Sequence, residues 1–265
     1  MKRFFEIIGF ISLVCFSFFY TEKIATVIKN NDDVLKQIEN VKIQSKTNPI
    51  DAKIEGNTII PGMSGKIIDV DKSYNKMKKY GEFNDNLLVY KSIKPTISIT
   101  DNKDKYIIKG NNRRMVSLVF VIKDGSISEI LNILNEKNIK ATFMVSNYWF
   151  ENNNQLILDL VNQGHNVGSL STNFEQLSWQ KSIVQKIAKQ KDFYCYGNEN
   201  LDNCFKLNAY TIEPTLKTDS LIEIKNEINS GYIISLDSPD NLNLIIDYIV
   251  SKGFDIVNME SLLKE

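Results

Sequence analysis

The sequence predicts an α/β fold built on a mostly parallel sheet. Three observations predict it. Seven apolar runs of strand length follow Met115. Helical faces with three- and four-residue spacing separate most of them, and glycines and capping residues mark the switches. Such alternation calls for parallel strands joined by helical crossovers, in a sheet either wound open or closed into a barrel.

The first run, 116–122, is apolar except for Ser117. Ser126 and Glu129 then have capping-box spacing, with Ile127, Ile130, Leu131 and Leu134 on one helical face. The second strand is 141–145. The next helix turns Leu156, Ile157, Leu160 and Val161 inward and is stopped by Gly164. The third strand is 165–170. A helix carrying Trp179, Ile183 and Ile187 leads to strands at 193–196 and 209–212. Leu221, Ile224 and Ile228 mark a further helix before the strand 232–236. Pro239 starts a helix with Leu242, Ile245, Ile246 and Ile249 on one side, ended by Gly253. The last strand is 254–257, and 261–263 begins a helical turn.

The N-terminal part differs in character. Lys2 and Arg3 precede an apolar stretch, 4–20, broken only by Glu6, Gly9, Ser12 and Ser17. Seventeen helical residues reach about 25 Å, near the minimum for a membrane span. No Ala-x-Ala site follows, so an uncleaved anchor (1–21) is favoured over a signal peptide. The early positive charge puts the N-terminus in the cytoplasm and the rest outside. Residues 22–55 are polar and lysine-rich and read as a stalk. Residues 56–114 carry Gly and Pro punctuation around short β-like runs at 87–90 and 96–99, a small strand-rich region. The stretch Gly62-Met-Ser-Gly-Lys66 is too short for a phosphate loop and reads as a turn.

The 265 residues include 32 basic and 32 acidic side chains, so the balance gives no footprint for nucleic acid. Cys15 lies in the apolar stretch. Cys195 and Cys204 are left as a possible disulfide, closing a ten-residue loop worth ~2–3 kcal/mol, or as two buried thiols. Without a nearby histidine they make a poor zinc site.

Four segments carry a resemblance: Val121-Ile-Lys-Asp-Gly125, Ile139-Lys-Ala-Thr-Phe-Met-Val145, Gly164-His-Asn-Val-Gly168 and Gly231-Tyr-Ile-Ile-Ser-Leu-Asp237. In order and spacing they resemble the NodB-homology domain of polysaccharide deacetylases, over about 115–265. The resemblance implies a distorted (β/α)7 barrel of that type, here preceded by the transmembrane helix and the strand-rich region. It also implies chemistry at the C-terminal strand ends, where a divalent metal such as zinc polarises an N-acetyl carbonyl and a carboxylate acts as base.

On that alignment the base position is Lys123, one metal-ligand position keeps Asp124, and the two histidine ligands become Leu170 and Phe174. The late acid histidine becomes Asp237, and 193–197 is the nearest remnant of the arginine-proline motif. With one histidine in the chain, an Asp-His-His site is unavailable in any register. No intact catalytic residue, cofactor or metal is therefore expected. His165 falls outside the ligand pair and reads as a hydrogen-bonded structural residue. Lys123 and Asp124 have two readings, an internal ion pair or a lysine reaching solvent, and Asp237 reads as a cap for the following helix.

Three functions follow as expectations. The first is a non-catalytic cell-envelope module, glycan-binding or structural, whose partner is peptidoglycan, another envelope glycan or an envelope protein. The second is a carbohydrate N-deacetylase with a rearranged site of oxygen ligands. The third is an architectural partner in a membrane complex.

Overall fold

The computed structural model describes residues 9–21, 32–111, 113–197 and 202–265. In chain order the elements begin with helices α1 (9–21) and α2 (Asp33–Ser45). Strands β1 (Lys53–Glu55), β2 (Thr58–Ile60) and β3 (Gly65–Ile68), helix α3 (Val70–Met77), and strands β4 (Tyr90–Ile93) and β5 (Tyr106–Ile107) follow. The regular part is β6 (Met115–Ile122), α4 (Ser128–Glu136), β7 (Thr142–Val145), α5 (Asn147–Asn152), α6 (Asn154–Asn162), β8 (Asn166–Ser169), α7 (Phe174–Ser182), β9 (Tyr194–Tyr196), α8 (Asp202–Lys206) and β10 (Tyr210–Ile212). It ends with β11 (Leu216–Lys217), α9 (Leu221–Glu227), β12 (Ile233–Leu236), α10 (Leu242–Ser251), β13 (Asp255–Ile256) and α11 (Met259–Leu262).

Two compact units form, one from Met1–Pro49 and Ser64–Ile93, the other from Ile50–Met63 and Lys94–Glu265. This division departs from the expected stalk and strand-rich region. In the first unit α2 is no solvated stalk: Val34 and Ile38 pack with Ile68 and Met77 in a small core of their own. Asp32 caps α2, accepting from Val34 N–H at 2.8 Å. The rest of the expected stalk's start, 22–31, lies outside the described residues. The run 87–90 is strand only from Tyr90, which opens β4, the antiparallel partner of β3.

In the second unit the sheet order is β1-β2-β5-β10-β9-β8-β7-β6-β12-β11, with β13 added beside β6. All pairings except the β1–β2 hairpin are parallel. All seven strands expected after Met115 are present. The expected distorted (β/α)7 barrel takes the form of an open half-barrel sheet, in which β5 occupies the edge of β10 away from β9. Buried Ile59 and Ile107 explain why strands placed before residue 115 join this sheet: it is where their side chains leave water. The run 96–99 is not a strand, although Ala52 N–H bonds Ile97 O at 2.9 Å.

The outer face of the sheet, with Leu118, Phe120, Phe143, Val145 and Ile234, packs against the helices. The inner face carries Val119, Met144, Tyr194, Tyr210, Ile212 and Ile233. At its N-terminal end α11 fills the concavity: Met259 N–H bonds Thr142 Oγ1 and Glu260 N–H bonds Asn166 Oδ1, each at 2.9 Å.

Three local expectations are corrected. The Ser126–Glu129 capping box does not form, since α4 starts at Ser128 and Ser126 Oγ instead accepts from Ser128 N–H at 3.2 Å. Helix α7 buries Leu177 and Gln180, while Trp179 and Ile187 are 39% and 57% exposed. A π-turn at Ile183–Ile187 shifts the helical phase there. Helix α10 starts at Leu242, after Asn241 in a left-handed conformation, rather than at Pro239.

The expected anchor is described only from residue 9. Residues 9–21 are helical, and among the described residues no helix is long and apolar enough to cross a membrane.

Candidate functional site at the strand ends

The C-terminal ends of β6, β8, β9 and β12 bring the expected positions to one end of the second unit. Lys123 and Asp124 leave β6 in an exposed bend. The bend is pinned by its backbone: Ser146 Oγ donates to Lys123 O, and Trp149 Nε1 donates to Gly125 O at 2.9 Å. Gly125 has φ +79°, which the turn requires. No ion pair joins Lys123 to Asp124 among the described residues, which leaves the solvent-reaching reading of that lysine.

Leu170 and Phe174 flank a tight turn between β8 and α7. Ser171 N–H bonds Ser169 Oγ at 2.9 Å, and Asn173 N–H bonds Ser171 Oγ at 3.1 Å. Ser171 Oγ donates to Gln176 Oε1 at 2.6 Å, while Asn173 Oδ1 caps α7 by accepting from Glu175 and Gln176 N–H. Neither Leu170 nor Phe174 takes part through its side chain. Leu170 packs on the inner cluster with Tyr196, and Phe174 opens α7 with 44% exposure.

Asp237 is exposed after β12. It is not the expected helix cap. Its own N–H donates to Asp219 Oδ1 at 3.0 Å, and Ser238 N–H shares that acceptor at 3.2 Å.

The structure adds residues that sequence reasoning missed. Tyr196 Oη and Ser235 Oγ lie 2.7 Å apart, and Lys217 Nζ stands 5.7 Å from the Tyr196 ring centroid. Burial raises the Tyr196 phenol pKa, opposed by the Ser235 bond and aided by the Asp237 carboxylate. The phenol is thus held in its protonated form rather than poised as a base. One signal was legible: Tyr194 and Tyr196 alternate on β9 and so share a face, the inner one.

The donor set does not fit a divalent metal. Leucine and phenylalanine offer no lone pair, and among the described residues no three His, Cys, Asp or Glu side chains stand grouped as ligands. His165 is at the other end, before β8. It is buried, with Nδ1 accepting from Ala141 N–H at 3.1 Å and its ring edge-on to Phe143. Desolvation, with help from Lys140, lowers its pKa to about 4. Cys195 on β9 and Cys204 on α8 are joined in a disulfide, both residues buried.

Residues 109–201 match the polysaccharide deacetylase family. Over those residues the chain carries a polysaccharide deacetylase domain, degenerate at the positions described above. It is 30% identical over 171 residues to the Bacillus subtilis (strain 168) protein YlxY, itself uncharacterized. That match takes in 63% of this chain and 53% of YlxY, so the chain spans about half the length of its curated relative. Among solved structures it is similar to BA3943, a CE4 family pseudoenzyme from Bacillus anthracis. The TM-score is 0.62 at 23% identity, covering 89% of this chain and 96% of that one. It is also similar to the chitin deacetylase of Colletotrichum lindemuthianum, with TM-score 0.53 at 19% identity, covering 60% and 91%. These likenesses identify the fold of a polysaccharide deacetylase.

Proposed function

We propose that this degenerate deacetylase serves the cell envelope as a non-catalytic module, binding a glycan such as peptidoglycan at the strand ends. The observation that carries the reading is the pair Leu170 and Phe174. They stand on a hydrogen-bonded turn where the family resemblance places two metal-binding histidines. The scaffold is kept and the electron-pair donors are gone. Lys123 at the base position removes proton abstraction by that route as well.

The likeness to a pseudoenzyme supports this reading. A mutant of BA3943 is described as having restored enzymatic activity, which supports placing the loss in a few side chains rather than in the fold. Residues 4–20 are the proposed anchor, with the N-terminus cytoplasmic and residues 22–265 outside.

Calorimetry of the full chain with chitooligosaccharides and peptidoglycan fragments, run beside an acetate-release assay, tests the function. Binding without acetate release is expected. Acetate release that chelators abolish would overturn the non-catalytic reading, and absent affinity for every glycan would remove the glycan-binding one in favour of an architectural role. Carbonate extraction of membranes tests the anchor, with retention in the pellet expected.

A further inference from the structure

We infer that the Cys195–Cys204 disulfide is a positioning device for the strand-end site, clamping α8 as a buttress beneath the turn that carries Leu170 and Phe174. The inference rests on the proposed reading of those strand ends as the site. Cys195 is the β9 partner of Ser169, the residue that opens the turn, and it immediately precedes Tyr196. Cys204 sits in α8, a helix of five residues. A helix that short has no stability of its own and takes its place from what it is tied to.

The ties are identifiable. Asn203 Nδ2 donates to Thr172 O at 2.9 Å, reaching directly into the turn. Lys181 Nζ of α7 donates to Leu207 O, just beyond α8. The Phe205 ring stands edge-on to Tyr106 with centroids 5.4 Å apart. The disulfide is the covalent member of this set, and it joins α8 to the strand whose next residue makes the Tyr196–Ser235 bond. Reduction by a dithiol breaks the S–S bond. It delivers two electrons and two protons to form two thiols, while the reductant closes its own disulfide. The turn and Tyr196 then lose their shared anchor.

Hydrogen exchange on the full chain tests this, comparing the oxidised protein with Cys195→Ser/Cys204→Ser and with Asn203→Ala. Both variants are expected to speed exchange over 169–177 about tenfold or more, while 115–122 in β6 keeps its protection. Unchanged exchange over 169–177 in the double-serine chain overturns the inference. Equal acceleration in β6 also overturns it, since the bond would then serve the whole fold. If the double-serine chain does not fold, wild-type protein reduced and alkylated decides by the same readout. Alkylation of both thiols in unreduced protein overturns it too. None of these readouts uses a glycan, so failure here and failure of the proposed function are separable.

Discussion

The Tyr196 hydroxyl and the Ser235 hydroxyl meet at 2.7 Å although β9 and β12 are separated in the sheet by β8, β7 and β6. The bond therefore runs across the concavity rather than along the sheet. Tyr196→Phe keeps the ring under Lys217 and strands the buried Ser235 Oγ. It is expected to cost ~1–2 kcal/mol in urea unfolding. Adding Ser235→Ala should recover part of that loss, because no polar group is then left unpaired. A double variant losing the sum of both single losses would contradict the tie.

Gly168 marks how closely the inner face is filled. A Cβ there would stand 2.4 Å from Met144 Sδ and 2.7 Å from the backbone oxygen of Tyr194. Methionine can yield, but a strand carbonyl cannot. Gly168→Ala is expected to lower stability by ~2–3 kcal/mol in denaturant titration, against less than ~0.5 kcal/mol for an exposed control such as Glu136→Gln.

How much was legible follows from which signals are local. The strands 116–122 and 232–236 could be read because a strand buried on both faces is apolar along most of its length, here broken only by Ser117 and Ser235. Asp124, Leu170, Phe174 and Asp237 could be placed because they follow strands at fixed offsets. The openness of the sheet could not be read: it depends on which edge β5 chooses, and Tyr106–Ile107 is only two residues long. Tyr196 and Ser235 were missed for a related reason, since their bond spans 39 residues and strands that are not neighbours. The phase of α7 was misread because a π-turn breaks the 3.6-residue period that the reading assumed.

His165 supplies a pH dependence whose sign is fixed. Its folded pKa of about 4 lies below the ordinary 6.5, so the unfolded chain binds the extra proton between those values. Stability from this residue is fully present above pH 6.5 and is lost as pH falls towards 4, by up to about 3 kcal/mol. Unfolding free energies measured between pH 7 and 4 should show this slope. His165→Gln should flatten it, and an unchanged slope in that variant would assign the effect to other groups.

Restoring donors tests whether the fold still presents a metal position. Wild-type protein is expected to retain no stoichiometric Zn2+ after dialysis, and its Tm should ignore chelators. The turn from Ser169 to Gln176 is held without the side chains of Leu170 or Phe174, and Phe174 is already exposed. Leu170→His/Phe174→His should therefore fold and add two imidazoles to the Asp124 carboxylate, a donor set suited to zinc. At metal concentrations 100 times Kd, binding to the folded state alone adds ~2.7 kcal/mol, visible as a rise in Tm. Co2+ should give a visible absorption band with the double variant and none with wild type. Lys123→Asp on that background should strengthen uptake by removing a neighbouring positive charge. A folded double variant that takes up no Co2+ would mean that the strand ends have drifted apart as well as lost their ligands.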